Sequence, residues 1–175
     1  MTITLRPASV HDVPDLVGVS RLAFTEAFGD LYDPADLQLF LDENRSAERI
    51  AAAIAHPDQR LTLAVREGEI LGYCLLHLAQ GFAERPEPRP ARPALLSQLY
   101  CRRHATGLGL GAMLMADALE AARARGCDAV QLSVYCDNTG AQRFYERLGF
   151  RKVADIDFWV GNHRDDEFLL EKPLT

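Results

Sequence analysis

The sequence has no long uninterrupted apolar run, so nothing in it reads as a membrane-spanning helix. It has no excess of positive charge either: 19 Lys and Arg stand against 25 Asp and Glu, for a net charge of −6. Sequence-independent nucleic-acid binding needs a basic face, and this balance disfavours a polyanionic partner. Cysteine is sparse. Cys74, Cys101, Cys127 and Cys136 lie far apart with no CxxC pair, and three of them fall in or beside apolar runs; neither a zinc site nor a disulfide framework is expected, and no metal. The N-terminal MTITLRPASVHD lacks the apolar core and small-residue cleavage site of an export signal, so a cytoplasmic protein is expected. What is there is 175 residues, 48% hydrophobic and 25% charged, the composition of an ordinary globular protein and the length of one domain over 1–175.

Residues 3–6 alternate as a short strand that stops at Pro7, and Ser9 and Asp12 offer helix-start chemistry for a helix over about Val13–Phe28. Gly29 through Pro34 breaks that helix. Leu37, Phe40 and Leu41, then Ile50, Ala53 and Ile54, return at helical spacing, so the first sixty residues read as mostly helical. Leu61–Val65 and Ile70–Leu78, separated by Glu67-Gly68-Glu69, predict an antiparallel hairpin. ERPEPRPARP, residues 84–93, holds four prolines among charges and predicts an exposed loop. Beyond it the order is strand (95–101), helix from Leu110 to Gly126, strand (130–134), helix (139–148). Phe150–Ile156 and Glu167–Glu171 are two last strands. The sum is an α/β (α+β) domain with a mixed, mostly antiparallel seven-stranded sheet and flanking helices.

Thr106-Gly107-Leu108-Gly109-Leu110-Gly111 lies between a strand and a helix, where unpaired amides and the helix dipole favour an anion such as a phosphate. Two familiar nucleotide motifs do not match it. A P-loop puts Lys-Ser or Lys-Thr after its last glycine, but Ala112-Met113 follows Gly111. A dinucleotide fingerprint needs GxGxxG and an acid closing the next strand, whereas the spacing here is GxGxG and Asp128 precedes its strand. A glycine-rich turn without a ligand stays open at this point.

A second pattern follows: Asn138-x-x-Ala141-x-x-Phe144-Tyr145-x-x-Leu148-Gly149-Phe150, with Asn138 and Tyr145 one above the other on one helix face. The combination resembles the GNAT superfamily of acyl-CoA-dependent N-acyltransferases. Their phosphate-binding motif reads Gln/Arg-x-x-Gly-x-Gly/Ala, and their later helix carries the Asn and Tyr. The resemblance covers about Leu95–Phe150 closely, and the element order on either side agrees with that fold. Thr106 stands at the usual Gln/Arg position, which removes a long side chain and leaves the backbone amides.

The resemblance implies acetyl-CoA (coenzyme A) as cofactor. The amides of Thr106, Gly107, Leu108, Gly109, Leu110 and Gly111 would hold its pyrophosphate, and the strand edge around Leu99 and Cys101 would pair with the pantetheine arm. Asn138 is open between contact with that arm and a plain helix N-cap. Tyr145 would sit near the thioester sulfur and protonate the departing thiolate, where a Tyr beside Phe144 otherwise reads as packing. A shorter resemblance to bacterial PaiA-type polyamine acetyltransferases lies in Phe24–Gly29, Asp36-Leu37, Phe158–Gly161 and Asp165–Leu174. It makes Phe24, Phe28, Tyr32 and Trp159 candidate walls of the acceptor pocket, against the alternative of ordinary core aromatics.

No general base announces itself. His77, Gln98 and Glu26 could each reach an acceptor, and His104 beside Arg102 and Arg103 could favour a phosphate or simply be solvated. Between Leu22 and Asn44 there are six acids (Glu26, Asp30, Asp33, Asp36, Asp42, Glu43) and no Lys or Arg, and the tail adds Asp155, Asp157, Asp165, Asp166 and Glu167. With the resemblance, this layout favours a polyamine-like acceptor drawn to an acidic mouth. The expected function is acetyl transfer from acetyl-CoA to the primary amine of a small molecule by direct attack. An acyl-CoA-sensing module without turnover is the rival, and an interaction domain using the proline-rich loop is disfavoured because that loop lacks aromatic anchors. No nucleic-acid or membrane partner is expected. The sequence does not set the oligomeric state, and a homodimer is allowed.

Overall fold

Alternating apolar positions build the centre of the sheet. In the computed structural model, which describes residues 1–175, β2 (Gln59–Arg66) and β3 (Glu69–His77) are joined by a two-residue turn. Both turn residues, Glu67 and Gly68, are left-handed at φ 53° and 84°, the backbone whose twist suits a tight hairpin. β1 (Thr4–Pro7) pairs antiparallel with β2, and β4 (Pro93–Cys101) antiparallel with β3. β5 (Ala129–Tyr135) lies parallel to β4, and β6 (Arg151–Val160) and β7 (His163–Pro173) complete a seven-stranded sheet in the order β1-β2-β3-β4-β5-β7-β6. This is the mixed, mostly antiparallel sheet expected from the sequence.

Side-chain alternation sorts the two faces of the sheet. Leu61, Leu63 and Val65 of β2, with Tyr73 and Leu75 of β3, pack on Leu16 of α1 (Val13–Phe28) and Ile50 and Ala53 of α3 (Ala47–Ala55). Their neighbours Ala64, Leu71, Cys74 and Leu76 point the other way, onto Leu110, Leu114, Met115, Ala118 and Ala122 of α4 (Leu110–Ala124). A third cluster ties Phe24 of α1 and Phe40 and Leu41 of α2 (Pro34–Asn44) to Val160 at the end of β6. α5 (Thr139–Arg147) has no fully buried residue and rests Ala141, Phe144 and Tyr145 against the α4 core. α4 ends where Gly126, at φ 74°, takes the left-handed cap expected of it.

Two elements differ from the sequence expectation. The last two strands reach further, to Val160 and back from His163, because Gly161-Asn162 closes them into one hairpin. Their acids hid the strand period, yet Arg164 pairs across the hairpin with Asp157 and along β7 with Asp166. The proline-rich segment is a loop, but a tethered one. Arg85 forms a two-pronged pair with Glu171 at 2.8 Å, and Asp128 accepts the amides of Ala91 and Arg92 at 2.8 and 2.9 Å. A loop committed to its own sheet in this way is a poor docking arm.

The feature that makes room for a ligand is the β4–β5 junction. The strands pair only from Pro93↔Ala129 to Leu95↔Gln131. Beyond that, β4 stays with β3 as far as Cys101, and β5 stays with β7 as far as Tyr135. The extra residue at Ser97, where pairing steps from Leu75↔Gln98 to Leu76↔Leu96, bulges β4 at the point of divergence and bends it away. The sheet therefore opens as a V with unpaired main chain facing the gap.

Candidate active site

The gap is a cleft of about 260 Å³, walled by Leu96–Cys101 of β4 and Leu132–Tyr135 of β5 and closed by Asn138 and Tyr145 on one side and Phe24, Phe28 and Tyr32 on the other. It adjoins a larger cavity of about 450 Å³ through shared walls at Arg45, Ser97, Gln98 and Phe158. Leu99 and Cys101 thus stand on the free edge where the sequence put them. Trp159 does not join Phe24, Phe28 and Tyr32. It lies on the larger cavity and is 57% exposed, because β6 runs on through it to the hairpin tip.

From Cys101 the chain makes a tight turn at Arg103–Ala105 and enters the glycine loop, with Gly107 and Gly109 left-handed at φ 87° and 76°. A side chain added at either would meet only open space. The expectation of six ligand-facing amides needs correction: Thr106 N donates to Arg103 O at 3.2 Å and Leu108 N to Ala105 O at 3.4 Å, because the turn closes on itself. Those of Gly107, Gly109, Leu110 and Gly111 have no backbone acceptor, and they lie at or just before the dipole-positive start of α4. The chemistry suits an anion.

Asn138 is the helix cap of α5 and also stands on the cleft wall; its side-chain oxygen accepts Ala141 N at 3.2 Å. The Tyr145 ring is held edge-on by Phe144 and Phe150, with centroids 5.2 and 5.7 Å away, while its face toward the cleft is free. Burial, then the nearby Tyr100, Cys74 and Cys101, pushes its hydroxyl above the usual phenol range, so it is a proton donor at neutral pH.

The candidate bases separate cleanly. Glu26 lies outside the cleft: it accepts Arg103 N at 3.0 Å and sits 3.5 Å from Arg102 Nη2, and these partners, the Arg103 N–H first, hold it below the ordinary carboxylate range. It clamps the turn that leads into the glycine loop. His104 pairs with Glu69 at 2.9 Å on the surface. His77, pushed down by burial, lies 3.1 Å from Ser97 Oγ on the larger cavity, and Gln98 accepts the Tyr73 hydroxyl at 2.9 Å.

The group that the sequence reading left among the tail acids is Glu167. It is 9% exposed and lines the cleft from β7, and its Oε2 is buried with no hydrogen-bond partner. Burial raises it to about 7, with the Ser133 hydroxyl opposing and Asp165 adding to the rise. Asp165, two residues earlier on the same face, is engaged by the Tyr32 hydroxyl and by His163 at 3.1 Å. The available signal was an acid at alternate positions, Asp165 and Glu167, on the inward face of a strand that continues as Leu169.

A split parallel pair, a glycine-rich anion cradle at one end of the split and a proton donor beside it define an acyltransferase that takes its acyl group from a phosphate-bearing thioester. Comparison with known proteins agrees. The sequence profile of the acetyltransferase (GNAT) family matches residues 21–150. An uncharacterized N-acetyltransferase in the pepI 3′ region of Lactobacillus delbrueckii subsp. lactis is 28% identical over 167 residues, 95% of each chain. A spermidine N(1)-acetyltransferase of Thermoplasma acidophilum is 23% identical over 98% of each chain. The crystal structure of a PaiA N-acetyltransferase from Thermoplasma acidophilum, in complex with coenzyme A, superposes with a TM-score of 0.82 at 21% identity, over 99% of this chain and 100% of that one. The chain belongs to the acetyltransferase (GNAT) family. It is an N-acetyltransferase that depends on acetyl-CoA. No helix in it is long and apolar enough to cross a membrane.

Proposed function

We propose that residues 1–175 act as one domain that transfers acetyl from acetyl-CoA to the primary amine of a small molecule by direct attack, with Glu167 as base and Tyr145 as acid. The observation that carries this is the pair itself: a buried carboxyl on β7 whose Oε2 has no partner and a phenol on α5, both lining one cleft. Acetyl-CoA supplies the acetyl group as a thioester. In this reading the amides of Gly107, Gly109, Leu110 and Gly111 hold its pyrophosphate, and the free main chain around Leu99 and Cys101 pairs with the pantetheine arm, with Asn138 beside it.

Glu167 takes a proton from the acceptor ammonium and leaves a neutral amine to attack, which its value of about 7 allows near neutral pH. As the carbon–sulfur bond breaks, Tyr145 gives its proton to the departing sulfur, and the second proton shed by the acylated nitrogen passes through solvent to restore the phenol. Phe24, Phe28 and Tyr32 form the apolar wall that excludes water from the reacting atoms. The rival sensor module gives no reason for a buried carboxyl with an unfilled oxygen in the same cleft as a proton donor. The four thiols are unpaired, which supports a cytoplasmic setting.

A polyamine acceptor is supported by the name of the Thermoplasma relative and by Asp165 and Glu167 at the cleft. Of the other acids that suggested it, several are engaged elsewhere and none of the run between Leu22 and Asn44 lines the cleft. Asp33 caps α2, Asp36 accepts Asn162 N at 2.9 Å, Asp42 pairs with Arg21, and Asp155 with Lys152. The test is release of free thiol from acetyl-CoA across a panel of amines, with Glu167→Gln and Tyr145→Phe as controls. Thiol release from no amine, with coenzyme A bound normally, would favour the sensor.

A further inference from the structure

The larger cavity has the wrong sign for a polyamine. Its charged and titratable walls are Arg45, Arg49, His56, His77 and the Tyr73 phenol, with no Asp or Glu, and about half of its lining is apolar, including Ile50, Phe158 and Trp159. Arg45 stands where that cavity meets the cleft and lines both. It is 6% exposed, yet it takes part in none of the chain's arginine–carboxylate pairs. Its guanidinium lies 5.6, 5.3 and 5.9 Å from the ring centres of Phe24, Phe40 and Tyr100, its Nη1 donates to the Asn44 carbonyl at 3.2 Å, the Tyr73 and Tyr100 hydroxyls are the other polar groups beside it, and its Nε has no partner. Aromatic faces stabilise a cation but do not satisfy its N–H groups.

A buried charge with an unfilled donor is tolerated where a ligand completes it, and a guanidinium matches a carboxylate in two parallel hydrogen bonds. Glu167 lines the same cleft, beyond ion-pair reach of Arg45. One cation and one carboxylate held apart in a single cleft complement a zwitterion. On the acetyl-transfer reading above, we infer that the acceptor carries a carboxylate as well as its amine, in the manner of an apolar amino acid: Arg45 binds the carboxylate, Glu167 faces the amine, and the apolar walls of the larger cavity hold the side chain. The step itself is unchanged. The amine nitrogen gains acetyl, the sulfur leaves and is protonated, and the carboxylate takes no part.

Two readouts separate this inference from the reading it rests on. Thiol release is compared for phenylalanine and leucine, for their amides and for spermidine. Both acids should exceed their amides in kcat/KM by about 10²-fold, since losing a charge-assisted pair leaves Arg45 unsatisfied. Independently of turnover, calorimetry on the coenzyme A complex should show N-acetylphenylalanine binding at least about tenfold more tightly than N-acetylphenylalaninamide. Arg45→Met should bring the two level while keeping or raising the Tm, because a thioether fills the aromatic nest without a buried charge. Arg45→Lys should restore part of the preference and guards against a misfolded Met variant. Equal binding of acid and amide, binding of neither, or spermidine as the best acceptor would overturn the inference. Tight binding of the acid with no thiol release from any amine would leave the inference standing and overturn acetyl transfer.

Discussion

Replacing Glu167 by Gln should make the protein more stable and less active, and the two effects share one cause. The carboxyl is raised from its ordinary 4.5 to about 7 by burial, so the folded chain holds its proton more tightly than the unfolded chain does. Its contribution to stability is therefore intact below about pH 4.5 and is lost as pH rises through about 7. At about 1.4 kcal/mol per tenfold change, that rise corresponds to roughly 3 kcal/mol of destabilisation at pH 8, and the residue is too buried for solvent to screen much of it. Gln keeps the shape and removes the charge. Urea or thermal denaturation at pH 4.5 should find the variant and the parent alike. At pH 8 the variant should gain roughly 3 kcal/mol, or on the order of 6–12 °C in Tm for a chain of this length. Turnover should move the other way, with kcat/KM down by about 10²–10⁴-fold and the ionisation near pH 7 gone from its pH profile. A Gln variant no more stable than the parent at pH 8 would show that Glu167 is not a strained buried acid. Persistence of the limb near pH 7 would place the base elsewhere.

Gly109→Val should abolish coenzyme A binding by calorimetry in a chain that still folds, because φ 76° is strained for valine and the added side chain enters the space before the free amides. Gly111→Ala is the control: its Cβ would meet Phe144 at an ordinary 3.5 Å, so affinity should change by no more than a few fold. Tyr145→Phe should keep fold and cofactor affinity and lower kcat by up to ~10²–10⁴-fold; unchanged turnover would assign the ring to packing alone. Glu26→Gln should raise KM for acetyl-CoA by loosening the Arg103 turn and leave the limb near pH 7 in place, whereas loss of that limb would make Glu26 the base after all.

How much of this was legible in the sequence depends on the range over which each residue acts. The glycine loop and the Asn138–Tyr145 helix are local patterns, and both lie where the sequence puts them. The α1 helix, the β2–β3 turn and the left-handed end of α4 follow from spacing and from glycine, again within a few residues. The internal use of the Thr106 and Leu108 amides is a matter of how tightly one turn closes, which a motif does not specify. β6 and β7 run further than their sequence shows because charges at alternate positions obscure a strand unless its partner is known; here Arg164 of β7 pairs across the hairpin with Asp157 and along its own strand with Asp166.

The same gap in range explains why the acid run reads differently in the fold and why Glu167 does not stand out in the sequence. A run of acids from Leu22 to Asn44 looks like one field in a linear sequence. In the fold four of the six go to a helix cap, a hairpin contact, an ion pair and the Arg103 clamp, and none of the six carboxylates lines the cleft. Glu167 looks like one more acid of the tail, yet the pairing of β7 with both β5 and β6 turns it inward onto the cleft that Tyr145 also lines, without a hydrogen bond for its Oε2. Arg45 is likewise one arginine among many until α2, α1 and β4 surround it with rings and no carboxylate. An unsatisfied buried charge is visible only in three dimensions, and it is the kind of strain that a folded chain retains where a ligand relieves it. Glu167 and Arg45 carry that strain in the same cleft with opposite signs, so an acceptor that relieves both should bind more tightly than one that relieves either alone.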